Sequence, residues 1–432
     1  MKKTLVSIFF VFVLLFSTVT LSSCVLFDGN SMFFDGYGNT GNSSGNSGGD
    51  SSGGGDVTIN VEGGDSYNVN ISSTVQPNIL AASKSVLSAV SIYCNFERNQ
   101  YSWSGNLVGT TTATSSGSGV IYKLDKNAGT AYVITNYHVV YDAYCNTQNK
   151  ISDDISLYLY GQEATKYAIK ATYVGGSMNY DLAVLKVENS EILIKSNAMA
   201  ASVADSNGIS VLETAIAVGN PEGIGLSATV GYINVDSENI QISMVSGGAS
   251  KVINLRCIRI DAAVNSGNSG GGLFNDKGEL IGIVNAKLSD SSVDNIGYAI
   301  PSNVAKAVAD NIIYYCDGTE KESVYRCLLG VTVGATEAYT EYDTETGKIY
   351  KREEIIISSI EENNAVTGIL ETGDVINSIT IDGVKHEVTR VYHVVDSMLN
   401  ARVGSTVVMN IIRDGVASDV TILITENLLT EY

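Results

Sequence analysis

The sequence predicts a mainly β protein: an all-β barrel or sandwich over residues 79–318, followed by a small α/β module over 325–428. Three observations predict it. Short apolar runs rich in β-branched residues follow one another at 86–93, 118–122, 131–135, 155–160, 183–187, 215–218, 258–262 and 279–285. Gly, Asn, Ser and Asp separate these runs, and no long helical pattern is interleaved, which favours antiparallel barrels or sandwiches over parallel α/β sheets. Past a polar stretch at 317–325 the pattern changes. Strand-like segments at 329–333, 354–360, 374–381 and 406–412 accompany a run in which Val388, Val391, Val395, Met398 and Leu399 recur at helical spacing.

The remaining elements follow in order. Lys2 and Lys3, an apolar run at 5–16 and the closing Leu21-Ser22-Ser23-Cys24 make 1–23 a secretion signal, too short and wrongly flanked to be a stable membrane span. The ending resembles a bacterial lipobox, so Cys24 is the expected lipidated N-terminus, anchoring the chain outside the cytoplasm to the cell membrane. Within 24–78, 17 of the 20 residues at 36–55 are Gly, Ser or Asn, a composition that cannot offset its ordering entropy and reads as a tether. Val57, Ile59 and Val61, then Val69 and Ile71, alternate around Gly63-Gly64-Asp65 as in a hairpin. Pro301-Ser302-Asn303 ahead of Val304, Ala307, Val308 and Ile312 predicts a capped amphipathic helix closing the β domain, with 317–325 as a hinge.

Net charge is −20, which excludes nucleic acid as a partner and adhesion to an anionic surface by charge alone. Besides Cys24 there are five cysteines: Cys94, Cys145, Cys257, Cys316 and Cys327. An odd number cannot all pair; Cys316 with Cys327, or Cys94 with Cys145, can bridge, but no spacing demands it. No CxxC or Cys/His cluster points to a metal, and no cofactor is expected.

The chemistry lies in three segments. Gly267-Asn268-Ser269-Gly270-Gly271 places a serine among glycines, so the amides of Gly267 and Ser269 can converge on an oxyanion, with Asn268 shaping the turn. Upstream stands His138 in Ile134-Thr135-Asn136-Tyr137-His138-Val139-Val140, at the end of an apolar run; the other two histidines, His386 and His393, lie far downstream and read as surface and helix-face residues. Asp181 begins the apolar run Leu182-Ala183-Val184-Leu185. A hydroxyl nucleophile, its general base and the base's orienter are thereby all present. The same glycine motif fits the nucleophile elbow of α/β-hydrolases, with Asp374 or Asp382 and His386 completing the order, but three glycines after Ser269 cannot start the helix which that reading requires.

Taken together the segments resemble the HtrA/Deg family of serine proteases. The resemblance is carried, in order, by Gly117-Ser118-Gly119, Thr135-Asn136-Tyr137-His138-Val139, Asp181-Leu182-Ala183-Val184, Gly219-Asn220-Pro221, Asp261-Ala262-Ala263, the Ser269 motif and Gly297-Tyr298-Ala299-Ile300-Pro301. It continues through Gly373-Asp374-Val375-Ile376, Asp382-Gly383 and Arg413-Asp414-Gly415. It implies a chymotrypsin-like double β-barrel over 79–318 and a PDZ domain over 325–428. It further implies Ser269 as nucleophile, His138 as general base and Asp181 as its orienter, with Gly267, Asn268 and Ser269 forming the oxyanion hole. Uncharged Ala263 and Val264 then imply a specificity pocket for small or medium aliphatic residues. Gly330-Val331-Thr332-Val333 would receive C-terminal peptides by strand addition. Unfolded or extended polypeptides are the implied substrates, and a homotrimer is among the partners the resemblance implies. Ser266 and Gly272 depart from the family pattern and predict a slack nucleophile turn. The competing class is a proteolytically silent peptide-binding scaffold or chaperone.

Overall fold

The computed structural model describes residues 57–60, 66–69, 77–246, 249–286, 296–362 and 366–432; the secretion signal, Cys24, the Gly/Ser/Asn tether and the Gly63-Gly64-Asp65 turn lie outside the described residues. Strands β1 (Val57–Asn60) and β2 (Ser66–Val69) pair antiparallel, as their alternation predicts. Helix α1 (Pro77–Leu87) then occupies ground where the sequence predicts strand from residue 86. Its buried positions are Ala81 and Ser85, one turn apart, and Ser85 Oγ donates to the Ala81 carbonyl at 2.8 Å. Small residues give little hydrophobic periodicity, so the helix is hard to see in sequence.

Six strands close the first barrel: β3 (Ala89–Tyr101), β4 (Leu107–Asp125), β5 (Thr130–Thr135), β6 (Asp154–Leu159), β7 (Ile169–Ser177) and β8 (Leu182–Val187), in the order β3-β4-β5-β8-β7-β6. One-turn helix α2 (Tyr137–Val140) follows β5. Along β6, Ile155, Leu157 and Leu159 point inward while the residues between them are half-exposed, the period-two signature of a strand with one wet face. They pack on Val90, Ile92, Phe96, Ile121, Val133 and Leu185.

After short helix α3 (Glu191–Lys195) a second barrel closes from β9 (Thr214–Gly219), β10 (Ser227–Ser246), β11 (Ala249–Ile260), β12 (Gly272–Phe274), β13 (Leu280–Val284) and β14 (Gly297–Pro301), in the order β10-β11-β14-β13-β12-β9. The fold is therefore two barrels, not a sandwich. Between them a shared core joins Ile134, Leu182 and Val184 of the first to Ile216, Val218, Phe274 and Ile283 of the second. Helix α4 (Ser302–Cys316) closes this seam with Val304, Ala307, Val308 and Ile312, the predicted apolar face. Its predicted cap differs. Ser302 Oγ donates to the Ala204 carbonyl (2.7 Å) and Asn303 Nδ2 to Asp205 (2.6 Å), so both side chains fasten the helix to the 204–206 segment instead of capping it. The expected hinge is also tied down, because Asp317 accepts from Tyr132 Oη (2.6 Å) and Lys186 Nζ (3.0 Å).

The C-terminal module begins with β15 (Tyr325–Cys327), β16 (Val331–Tyr342), β17 (Ile349–Ile360), β18 (Val375–Ile381) and β19 (Val384–Glu387). Helix α5 (Val391–Met398), β20 (Thr406–Arg413), β21 (Val416–Leu423) and β22 (Leu429–Glu431) complete it. Its main sheet runs β16-β17-β18-β20-β21, with β19 beside β18, and β22 returns to pair with β15. Buried Asp374 is held by Arg413 through two bonds (2.7 and 2.8 Å), which gives the Gly-Asp-Val-Ile and Arg-Asp-Gly motifs a common structural purpose. The module docks on the second barrel where Arg256 pairs with Asp396 and lies 4.0 Å over the Tyr392 ring. All five described cysteines are buried and unbridged. Burial pushes the Cys94 thiol up to about 12, and those of Cys316 and Cys327 up to about 11, so they stay protonated.

Candidate active site

Strand β5 delivers His138. Thr135 Oγ1 donates to the Ser118 carbonyl (2.7 Å), Asn136 breaks the strand, and its Nδ2 donates to the backbone carbonyl of Asp181 (2.9 Å). Asp181 sits in the β7–β8 turn at φ 50, a left-handed backbone that aspartate tolerates better than most side chains. Its carboxylate is fully buried and accepts three N–H groups: the His138 amide at Oδ1 (3.0 Å), and His138 Nδ1 and Asn285 Nδ2 at Oδ2 (2.7 Å each). On the other side of the ring, His138 Nε2 lies 2.9 Å from Ser269 Oγ. A carboxylate at Nδ1 favours the tautomer that leaves Nε2 free to take a proton from Oγ.

Asn285 escaped the sequence reading. It directly follows the fully buried strand β13, and a lone buried amide after Leu280-Ile281-Gly282-Ile283-Val284 must find a polar partner. That was the available signal. The partner, 104 residues away in sequence, was not legible.

The turn carrying Ser269 lies between β11 and β12. Gly267 has φ +93, and a Cβ there would stand 2.2 Å from the Asn220 carbonyl; Gly270 has φ +84, and its Cβ would stand 2.2 Å from the Ser118 carbonyl. Both positions need glycine for backbone angle and for close approach. Ser118 Oγ donates to the Gly267 carbonyl (2.7 Å) and accepts from the Asn220 amide (2.7 Å), while the Ser118 amide donates to the Ser269 carbonyl (2.8 Å). The Gly117-Ser118-Gly119 and Gly219-Asn220-Pro221 motifs thus act as struts of the turn. With the carbonyls engaged, the amides of Gly267 and Ser269 donate to no acceptor among the described residues. Two unspent donors beside Oγ suit an oxygen that gains negative charge.

The slackness predicted from Ser266 and Gly272 is absent. The Ser266 carbonyl accepts from the Glu222 amide (2.8 Å), and Gly272 is paired on both sides, with Val218 and Ile283. A Cβ at Gly272 would lie 2.3 Å from the Phe274 ring, so packing demands this glycine.

Of the pocket residues, Ala263 is exposed with its carbonyl held by Thr229 Oγ1 (2.8 Å), and Val264 is half-buried against Gly297. Gly330, at φ 64, leads into β16, the edge strand of its sheet, where Val331 and Val333 are half-buried and Thr332 is exposed. His386 lies on β19, and neither it nor His393 joins the site. His393 is buried on α5, and its Nδ1 accepts the Thr389 amide (3.2 Å). Burial, with Arg256 and Arg390 nearby, pushes the His393 ring from 6.5 down to about 4. A depressed folded-state value means stability that is full above pH 6.5 and lost as pH falls toward 4. The loss from this group is about 3 kcal/mol. Urea unfolding followed in the C-terminal module should show that slope, and His393→Asn, whose Oδ1 can accept the same amide, should flatten it.

Comparison with known proteins bears on this site. A family model described as a trypsin-like peptidase domain matches residues 78–283. The chain is 30% identical over 331 residues to "Serine protease Do-like HtrA" of Lactococcus lactis subsp. cremoris (strain MG1363), covering 72% of this chain and 74% of that protein. It is 37% identical over 222 residues to the protein of the same name from Bacillus subtilis (strain 168), covering 51% of this chain and 43% of the relative. A solved structure titled "HtrA-type protease AlgW with tripeptide" has 27% identity and a TM-score of 0.48, covering 82% of this chain and 97% of that one.

Proposed function

The chain belongs to the HtrA family of Do-like serine proteases, and from that premise we propose that Ser269, His138 and Asp181 are its catalytic triad, cleaving unfolded polypeptides outside the cytoplasm. The unbroken line from Asp181 Oδ2 through the His138 ring to Ser269 Oγ carries this reading. Ser269 Oγ passes its proton to His138 Nε2 as it attacks the peptide carbonyl, and the charge that collects on the carbonyl oxygen is met by the amides of Gly267 and Ser269. Each such donor is worth about 3 kcal/mol of barrier. His138 then hands the proton to the leaving amine, and water repeats the sequence on the acyl-enzyme. Asp181 holds the ring tautomer and stabilises the imidazolium. A fluorophosphonate probe should label the protein on Ser269, read by mass spectrometry of the labelled peptide. Neither labelling nor casein cleavage, with or without peptide ligands present, would sink the reading.

Ala263 and Val264 bring no charge to the pocket, which supports cleavage after small or medium aliphatic residues. A peptide-library digest checks this, and cuts confined to Arg and Lys overturn it. We read the C-terminal module as a PDZ domain, because the edge strand β16 can accept an extended peptide, with its C-terminal carboxylate near 330–333. Titration with labelled peptides should show binding that a blocked C-terminal carboxylate abolishes. Cys24 supplies a lipid anchor in this reading; among the described residues no helix is long and apolar enough to cross a membrane. Assembly as a homotrimer belongs to the same reading and is tested by mass in solution.

A further inference from the structure

Strands β3 and β4 run on past the first barrel as a two-stranded ribbon. β6 pairs with β3 only over 90–95, and β5 with β4 only over 120–125, whereas β3 and β4 stay paired out to Tyr101 and Leu107. At the tip, Tyr101, Trp103, Leu107 and Val108 are 63, 104, 59 and 63% exposed. A ribbon with no core beneath it has no internal reason to display four large apolar side chains. No charged residue occurs from 99 to 122, a run of 24 positions in a chain that is 17% charged with net charge −20. We propose that this tip inserts into the interfacial layer of a phospholipid bilayer.

The chemistry of the tip fits that occupant. Trp and Tyr rings, each apolar with one polar group, favour the headgroup boundary, and the Ser, Asn and Thr residues around them suit the same depth. Backbone groups carried into an apolar layer must be satisfied internally. Here the Ser102 amide donates to the Asn106 carbonyl (2.7 Å), the Gly105 amide to the Ser102 carbonyl (2.9 Å), and the Asn106 amide to Ser102 Oγ (3.1 Å). The absence of acidic residues removes the repulsion that an anionic leaflet imposes on the rest of the chain. A protein partner fits less well, since four side chains on one turn fall far short of the roughly 20 residues a side of a stable interface. They are enough for a chain already held at a membrane. Anchoring through Cys24 would keep the bilayer at high effective concentration and let a weak contact count. The inference rests on the anchored reading in this last respect.

Trp103 is the single tryptophan of the chain, so its emission reports on the tip directly. The whole chain, purified from the membranes of expressing cells, is floated with phosphatidylcholine vesicles, with and without brominated acyl chains. The expected result is a blue-shifted Trp103 emission that brominated lipid quenches several-fold. Leu107→Ser with Val108→Ser, both at exposed positions, should remove most of the quenching while the anchored chain still floats. A chain that floats with aqueous, unquenched emission overturns the tip and leaves the anchor standing. A blue shift without quenching also overturns it, placing Trp103 against protein. Flotation that the double variant abolishes supports the tip and removes the anchor. No flotation at any lipid concentration overturns both.

Discussion

Ser269→Ala should lower kcat for casein or peptide cleavage by about a million-fold while leaving the unfolding midpoint close to that of the wild type. The substitution removes one atom, Oγ, whose partner is His138 Nε2. The contacts that hold the turn are all backbone at this residue or side chain elsewhere: the Ser269 carbonyl to the Ser118 amide, the Gly270 amide to the Val284 carbonyl, and Ser118 Oγ to the Gly267 carbonyl. Fold and chemistry therefore separate cleanly in this variant. His138→Ala should cost about as much, and the double variant should lose little more, because residues that act as a unit are not additive. Residual cleavage above the uncatalysed rate would come from the Gly267 and Ser269 amides and from substrate binding, both of which survive. Single-turnover kinetics on one peptide decides the matter; a Ser269→Ala enzyme within tenfold of wild type would remove Ser269 from the mechanism.

Much of this was legible in the sequence, for reasons that differ between elements. Period-two alternation marks β6, and an almost continuous apolar run marks β8, which is buried along nearly all its length where the two barrels meet. Closure into barrels was legible only through the family resemblance, since it depends on β3 meeting β6 and β9 meeting β12, pairings no local pattern encodes. Strand β21 was missed because its first half, Val416-Ala417-Ser418-Asp419, is exposed and carries no apolar run, which begins only at Val420. Helix α1 was missed because its inward residues are small. Within the site, the three proposed triad residues announce themselves by type and by the turns around them. Their supports announce less. Ser118 is marked by the family motif Gly117-Ser118-Gly119, but its role shows only when the fold brings it against Gly267 and Asn220, and Asn285 reads as the end of a strand until it meets Asp181.

Asp181→Asn should reduce kcat by about 10,000-fold with the fold retained, and Asn285 decides why. Both carboxylate oxygens of Asp181 accept N–H groups, Oδ1 from the His138 backbone and Oδ2 from His138 Nδ1 and Asn285 Nδ2. An amide in its place must point its NH2 at one of these sets. Facing the His138 backbone N–H would leave two donors opposed in a buried place, with no means of escape for the main chain. Facing Asn285 can be relieved, because Asn285 Oδ1 is buried without a partner and a flip of that side chain turns a donor into an acceptor. The second arrangement wins, so the introduced NH2 also faces His138 Nδ1. The ring answers by carrying its proton on Nε2, where it can no longer accept from Ser269. Asn285→Ala leaves the carboxylate and the tautomer in place and removes one bond to a charged group, so its cost is about ten- to a hundred-fold. Proton NMR of the histidine ring separates the cases: the Nδ1 proton of His138 should persist in Asn285→Ala and disappear in Asp181→Asn. Equal losses of kcat in the two variants, with the Nδ1 proton present in both, would mean that Asp181 acts by packing alone.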